Sequence, residues 1–235
     1  MKKRQFLFSA VCIAALLSGA APVISGEPPY LMDKQLDLRR MLPPPFAAGS
    51  PEDRAEQEAV IAAQKSASPE RIKLADEDAE ESVFDMYTRT LGPAFVRANL
   101  PKASIFFDRV GDSEDAVVDP AKPYYGRVRP FLADPTRIKA LIKSTKSGAY
   151  PSGHSTRVTM TAIILADMLP EKRAILWARA EEYMWSRVIG GMHYPADLAA
   201  GPRAGTAMAA LMYADPAWRA DYEAAKVEVR KALGL

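Results

Sequence analysis

From residue 50 onward the chain is written in helical period. Ser50-Pro51-Glu52-Asp53 and Ser68-Pro69-Glu70 begin alike: a serine able to cap, a proline whose fixed φ suits the first turn, and acids near the positive end of the dipole. After the second start, Ile72, Ala75, Ala79, Val83, Met86 and Tyr87 recur at helical spacing, which predicts one helix from Pro69 to Leu91, ended by Gly92-Pro93. Val158, Ala162, Ile163, Leu165, Ala166 and Leu169 predict a helix over 155–169 that Pro170 stops. Ile175, Leu176, Ala180, Tyr183 and Met184 predict the inward face of another over 171–189, closed by Gly190-Gly191. Pro195 opens a small-residue helix to about Tyr213, with Gly201-Pro202 as a place to kink, and Pro216 opens the last. No alternating run flanked by hairpin turns occurs, so the pattern predicts an all-α fold.

The first 49 residues read differently. Met1-Lys2-Lys3-Arg4, the apolar run Phe6 to Leu17 and the small residues Ser18-Gly19-Ala20 have the order of a secretory signal peptide over 1–20. The run falls short of the ~20 residues that span a bilayer, which argues against a stable membrane anchor and for periplasmic delivery. Residues 21–49 are proline-rich and read as an arm lying on the body or as a linker, leaving 50–235 as the helical domain. The single cysteine, Cys12, falls in the export signal, so the processed chain has no thiol. Loss of Lys2, Lys3 and Arg4 takes the formal charge from +2 to −1, which gives nucleic-acid binding no support.

The chemistry concentrates around two histidines, the full complement of the chain. Pro151-Ser152-Gly153-His154 leads into a predicted helix, where amide hydrogens and the helix dipole suit an anion, Ser152 can donate a hydroxyl and Gly153 lets a ligand approach the backbone. A plain serine cap fits the tetrapeptide equally well. His193 and Asp197 lie four apart around Pro195, an arrangement in which the carboxylate can take one ring N–H and leave the other nitrogen free for nucleophilic attack; a helix cap beside a satisfied histidine is the bland alternative. Upstream, Lys122 and Arg129-Pro130, with Arg187 after Ser186, supply a compact charge and two planar forks for phosphoryl oxygens. Packing is the simpler role for Tyr124, Tyr125 and Tyr150, and also for Trp177 and Trp185.

Taken together, Lys122…Arg129-Pro130, Pro151-Ser152-Gly153-His154 and Ser186-Arg187…His193…Asp197 resemble the phosphatidic acid phosphatase type 2 and vanadium haloperoxidase superfamily, and within it the exported class A bacterial non-specific acid phosphatases. Leu42-Pro43-Pro44-Pro45 and Val117-Val118-Asp119-Pro120-Ala121-Lys122 look similar as well, whereas Gly191-Met192 and Gly201-Pro202 depart from that pattern. The resemblance implies a compact helical bundle, a homo-oligomer, and phosphomonoester hydrolysis without a metal or other cofactor, inhibited by vanadate or phosphate. By the same resemblance His193 forms a phosphohistidine, Asp197 orients it, His154 protonates the leaving alcohol, and Lys122, Arg129, Ser152, Gly153 and Arg187 bind the phosphoryl oxygens. Phosphotransfer to alcohols is compatible with that intermediate. A vanadate-dependent haloperoxidase, a lipid phosphatase and a non-catalytic phosphate-binding protein are the alternatives that the same residues leave open.

Overall fold

The computed structural model describes residues 27–235, and every regular element among them is helical. The signal-peptide reading, with Cys12, lies outside the described residues. In chain order the helices are α1 (Leu38–Met41), α2 (Pro51–Ser66), α3 (Pro69–Glu77), α4 (Val83–Leu91), α5 (Pro101–Val118), α6 (Lys122–Tyr125), α7 (Pro130–Ala133), α8 (Gly153–Met168), α9 (Arg173–Ile189), α10 (Pro195–Tyr213) and α11 (Pro216–Ala232). None of the described helices is long and apolar enough to cross a membrane.

α8 is the central helix, packed against α10, α9 and α5. Its buried face includes Val158, Met160, Ile164 and Leu165 together with four hydroxyl residues. Thr156, Thr159 and Thr161 are tolerated there because each hydroxyl bonds the carbonyl four residues back, Ser152, Ser155 and Arg157 respectively. α10 keeps its helix through Pro202 and comes very near α8: a Cβ on Gly201 would lie 2.4 Å from the Cβ of Ser155. The Gly201-Pro202 departure is thus the place where two helices touch backbone to side chain.

The structure corrects two readings of the pattern and adds α5, a long helix that the pattern does not mark. The helix predicted from Pro69 to Leu91 is two helices, because Asp78 turns away to meet buried Arg179 on α9, and Ser82 caps α4 by accepting the Phe84 amide. On α9, Ile175 and Trp185 face solvent, and the inward place goes to Arg179, whose Nε donates to the Met86 carbonyl at 2.8 Å. α5 has no clear apolar stripe in the sequence, because Ser104, Ser113 and Glu114 are buried beside Phe106, Phe107, Val110 and Val117.

Residues 27–49 lie along the body. Tyr30, Leu31, Leu38 and Leu42 are buried, and the Tyr30 and Leu31 amides donate to Ser113 Oγ on α5. The Tyr125 hydroxyl donates to the Leu38 and Leu42 carbonyls, and Tyr150 to that of Pro43, with the two rings edge to face at 4.8 Å. Tyr124, by contrast, is exposed.

Candidate active site

The ends of five helices meet around one cavity of about 780 Å3, a size suited to a small molecule. Lys122 opens α6, Arg129 is the cap residue of α7, Gly153 and His154 head α8, Arg187 lies in the last turn of α9, and His193 stands in the link to α10. All six line the cavity. Ser152 and Asp197 do not: both are fully buried behind it. Ser152 caps α8, its oxygen accepting the Ser155 amide at 3.3 Å, which is the capping role of the two that its sequence allows.

His193 is held in one tautomer. Its Nδ1 lies 2.8 Å from the Ala149 carbonyl, an acceptor only, so Nδ1 carries the hydrogen and Nε2 keeps its lone pair, which accepts from Arg129 Nη1 at 3.1 Å. Asp197 Oδ2 stands farther from Nδ1, at 3.5 Å, and accepts the Tyr194 amide at 2.8 Å, while Oδ1 accepts from Arg127 Nη1 at 2.6 Å. The direct orienting contact is therefore a backbone carbonyl, with the carboxylate just behind. Burial, and then the charges of Arg129 and Arg187, push His193 well below the ordinary imidazole value, so the free nitrogen persists into acid. Burial likewise raises Asp197 to about 7, opposed by Arg127 and the Tyr194 amide.

His154 has a different environment. Nδ1 is 2.6 Å from Glu81 Oε1 and Nε2 is 3.1 Å from the Ala79 carbonyl, so both nitrogens face acceptors and the geometry suits the doubly protonated ring. Burial and Arg187 lower its pKa; Glu81 and the Ala79 carbonyl act the other way. Tyr183 stacks on the ring at 5.9 Å and 19°, and its hydroxyl donates to the Glu80 carbonyl, fixing the segment that carries Glu81.

The cations differ in how they are engaged. Arg129 donates to the Ser147 and Met192 carbonyls at 2.8 and 3.0 Å, and burial beside Arg187 holds it down at about 10. Lys122 Nζ pairs with Asp119 at 2.6 Å. Arg187 is 2% exposed, and its Nε and Nη1 are buried without a partner in the protein. Donors of a charged group left so inside a cavity wall call for an anion.

Four contributors are not singled out by sequence: Arg127, Glu81, Glu114 and the Ala149 carbonyl. Arg127 bonds Asp197, Glu56 and Asp53 and lies 4.1 Å over the Tyr194 ring. The alternation Arg127-Val128-Arg129-Pro130 is the one local hint of it. Gly191, two residues before His193, has φ +76°, and a Cβ there would stand 2.3 Å from the Lys139 carbonyl oxygen, so only glycine lets segment 139–142 cross this turn.

Residues 113–221 match the model of the PAP2 superfamily, a span that contains Lys122, Arg129, Ser152, Gly153, His154, Arg187, His193 and Asp197. Residues 113–221 thus carry a PAP2-superfamily domain. Full-length likeness to curated relatives agrees with this PAP2 assignment. An acid phosphatase of Zymomonas mobilis subsp. mobilis is 29% identical over 238 residues, covering 94% of this chain and 90% of the relative. A non-specific acid phosphatase of Salmonella typhi is 29% identical, with 93% and 89% covered. That of Providencia stuartii is 27% identical, with 98% and 99% covered. Among solved structures, a bacterial vanadium-dependent iodoperoxidase superposes with a TM-score of 0.58 at 17% identity, over 74% of this chain. This chain spans about half (52%) of the iodoperoxidase, and the likeness speaks for a shared fold alone.

Proposed function

We infer that this protein is an acid phosphatase that hydrolyses phosphomonoesters through a phosphohistidine. The observation that carries the reading is the pairing of a single-tautomer His193, its Nε2 lone pair turned to the cationic wall, with the unpartnered guanidinium nitrogens of Arg187 in the same cavity. The curated relatives' full-length likeness points to the same class.

In this mechanism Nε2 of His193 forms the P–N bond as the P–O bond to the leaving alcohol breaks. Arg187, Arg129 and Lys122, with the N-terminal turn of α8, hold the phosphoryl oxygens, and Gly153 leaves room for them. His154 gives its proton to the departing oxygen, then removes one from the water that attacks phosphorus and returns Nε2 to His193. Asp197 and the Ala149 carbonyl keep Nδ1–H in place throughout. Ser152 sets the direction of the α8 terminus. An alcohol in place of water gives phosphotransfer.

The two lowered imidazoles set the pH range. His193 stays neutral because its value lies well below the usual one, and His154 must be charged, so turnover rises as pH falls through the His154 ionisation, itself below about 6.5. A wide cavity mouth with exposed Val128 and Leu132 suits a broad range of alcohols, and the signal-like residues 1–20 suit export to the periplasm.

Hydrolysis of a chromogenic phosphomonoester with chelator present tests the reading. Turnover at mildly acidic pH, blocked by vanadate and reduced roughly ten-thousandfold or more in His193→Ala, is expected. An alkaline quench of the wild type traps phosphate on His193. Retention of activity in the variant, or iodide peroxidation with added vanadate in place of phosphatase turnover, overturns it.

A further inference from the structure

Glu114 stands inside the proposed phosphate site and none of the steps above uses it. It projects from α5, is 2% exposed and lines the cavity beside Gly153, His154 and Lys122. Its Oε2 is fixed by Arg157 of α8, from Nε at 3.0 Å and Nη2 at 2.9 Å. Its Oε1 points at the head of α8: a Cβ placed on Gly153 would lie 2.9 Å from that oxygen and 3.6 Å from Lys122 Nζ. The space that Gly153 leaves for a ligand is thus bordered by a carboxylate oxygen and an ammonium.

The surrounding charges do not balance Glu114. Arg157 also pairs with Asp115 of the same helix at 2.7 Å and with Glu81 of the α3–α4 link at 3.7 Å, and Lys122 of α6 is paired with Asp119. Four carboxylates share Arg157 and Lys122, while Glu81 also holds His154 and feels the charge of Arg187 on α9. α11 packs on α5, and its acids are engaged elsewhere, Asp221 with Arg109 and Glu228 with the Ala103 amide. Burial, then Asp115 and Glu81, raise the Glu114 carboxyl to about 7, against Arg157 and Lys122. A phosphoryl dianion arriving at Gly153 adds negative charge next to Oε1, and proton uptake relieves the conflict.

We propose that Glu114 is a proton-linked residue of the phosphate site: the cavity takes up the phosphoryl dianion together with one proton from solvent, held on the Glu114 carboxyl and donated as an O–H to a phosphoryl oxygen. The proton returns to solvent when product phosphate leaves. Ionised, the same carboxylate opposes the ligand. Acid preference then has two separable origins, His154 in kcat and Glu114 in affinity. The inference rests on the phosphate-site reading.

Sulfate is the probe, a tetrahedral dianion whose charge is constant from about pH 5.5 to about pH 8, a range that brackets the Glu114 ionisation at about 7. Its affinity for the full chain is measured by calorimetry and by competition against turnover, in wild type and in Glu114→Gln, which keeps an acceptor for Arg157. The variant is expected to bind sulfate at least about tenfold more tightly than wild type near pH 8 and within about twofold near pH 5.5. Titration of wild type near pH 7 in two buffers of different ionisation enthalpy reports proton uptake directly and needs no variant to fold. Parallel pH slopes in the two proteins, weaker binding by the variant at every pH, or no proton uptake overturns the proposal while leaving the phosphate site standing. Failure of wild type to bind either sulfate or inorganic phosphate removes both.

Discussion

His154 sits between opposing influences: burial and Arg187 favour the neutral ring, and Glu81 at 2.6 Å favours the charged one. In the proposed mechanism Glu81 therefore positions and charges the proton donor without touching the phosphoryl group. Because the carboxylate stabilises the charged ring, its removal moves the His154 ionisation further down. In Glu81→Gln the alkaline limb of kcat is expected to shift to lower pH by about one unit, with vanadate affinity near pH 5 little changed. A kcat–pH profile and a vanadate titration check this, and an unmoved limb contradicts the role. At this scale sequence and structure agree unevenly. His193, His154 and the cations stand out in the sequence because imidazole is rare and the spacings are tight. Glu81 looks like one more acid on an exposed helix surface until Asp78 breaks that helix and turns the segment inward.

Arg127 shows what holds the elements around His193. One guanidinium joins Asp53 and Glu56 of α2 to Asp197 of α10, and Glu56 also accepts the Ala196 amide at the start of α10. With 6% of its side chain exposed, it leaves buried carboxylates uncompensated when removed. Arg127→Gln should therefore cost on the order of 3–5 kcal/mol of stability in denaturant unfolding. The same substitution should lower kcat more than it raises KM, since Asp197 loses the partner that fixes it behind His193. The helices themselves were largely legible, because serine–proline starts and glycine or proline stops act locally. What escaped were the break at Asp78, the polar interior of α5 and the outward turn of Ile175, all decided by partners on other helices.

On the scale of the whole molecule, the stretch from Glu27 to Gly49 belongs to the body's packing. Tyr30, Leu31, Leu38 and Leu42 are buried, at roughly 1.5–3 kcal/mol for each apolar side chain as an upper bound. Against a total of roughly 5–15 kcal/mol, that contribution is large. A chain lacking residues 27–42 is expected to melt far below the intact protein or to fail to fold, as thermal unfolding followed by circular dichroism will show. Equal melting temperatures would mean that the arm merely rests on the surface.

The contact of Glu56 with Ala196 bridges 140 positions of the chain, and Arg127 holds the other oxygen of the same carboxylate. Local signals start and stop the helices, whereas this junction must wait until both distant stretches have been made and brought together. The pocket is therefore among the last parts of the molecule to exist, and a growing or unfolded chain, however helical, is chemically silent.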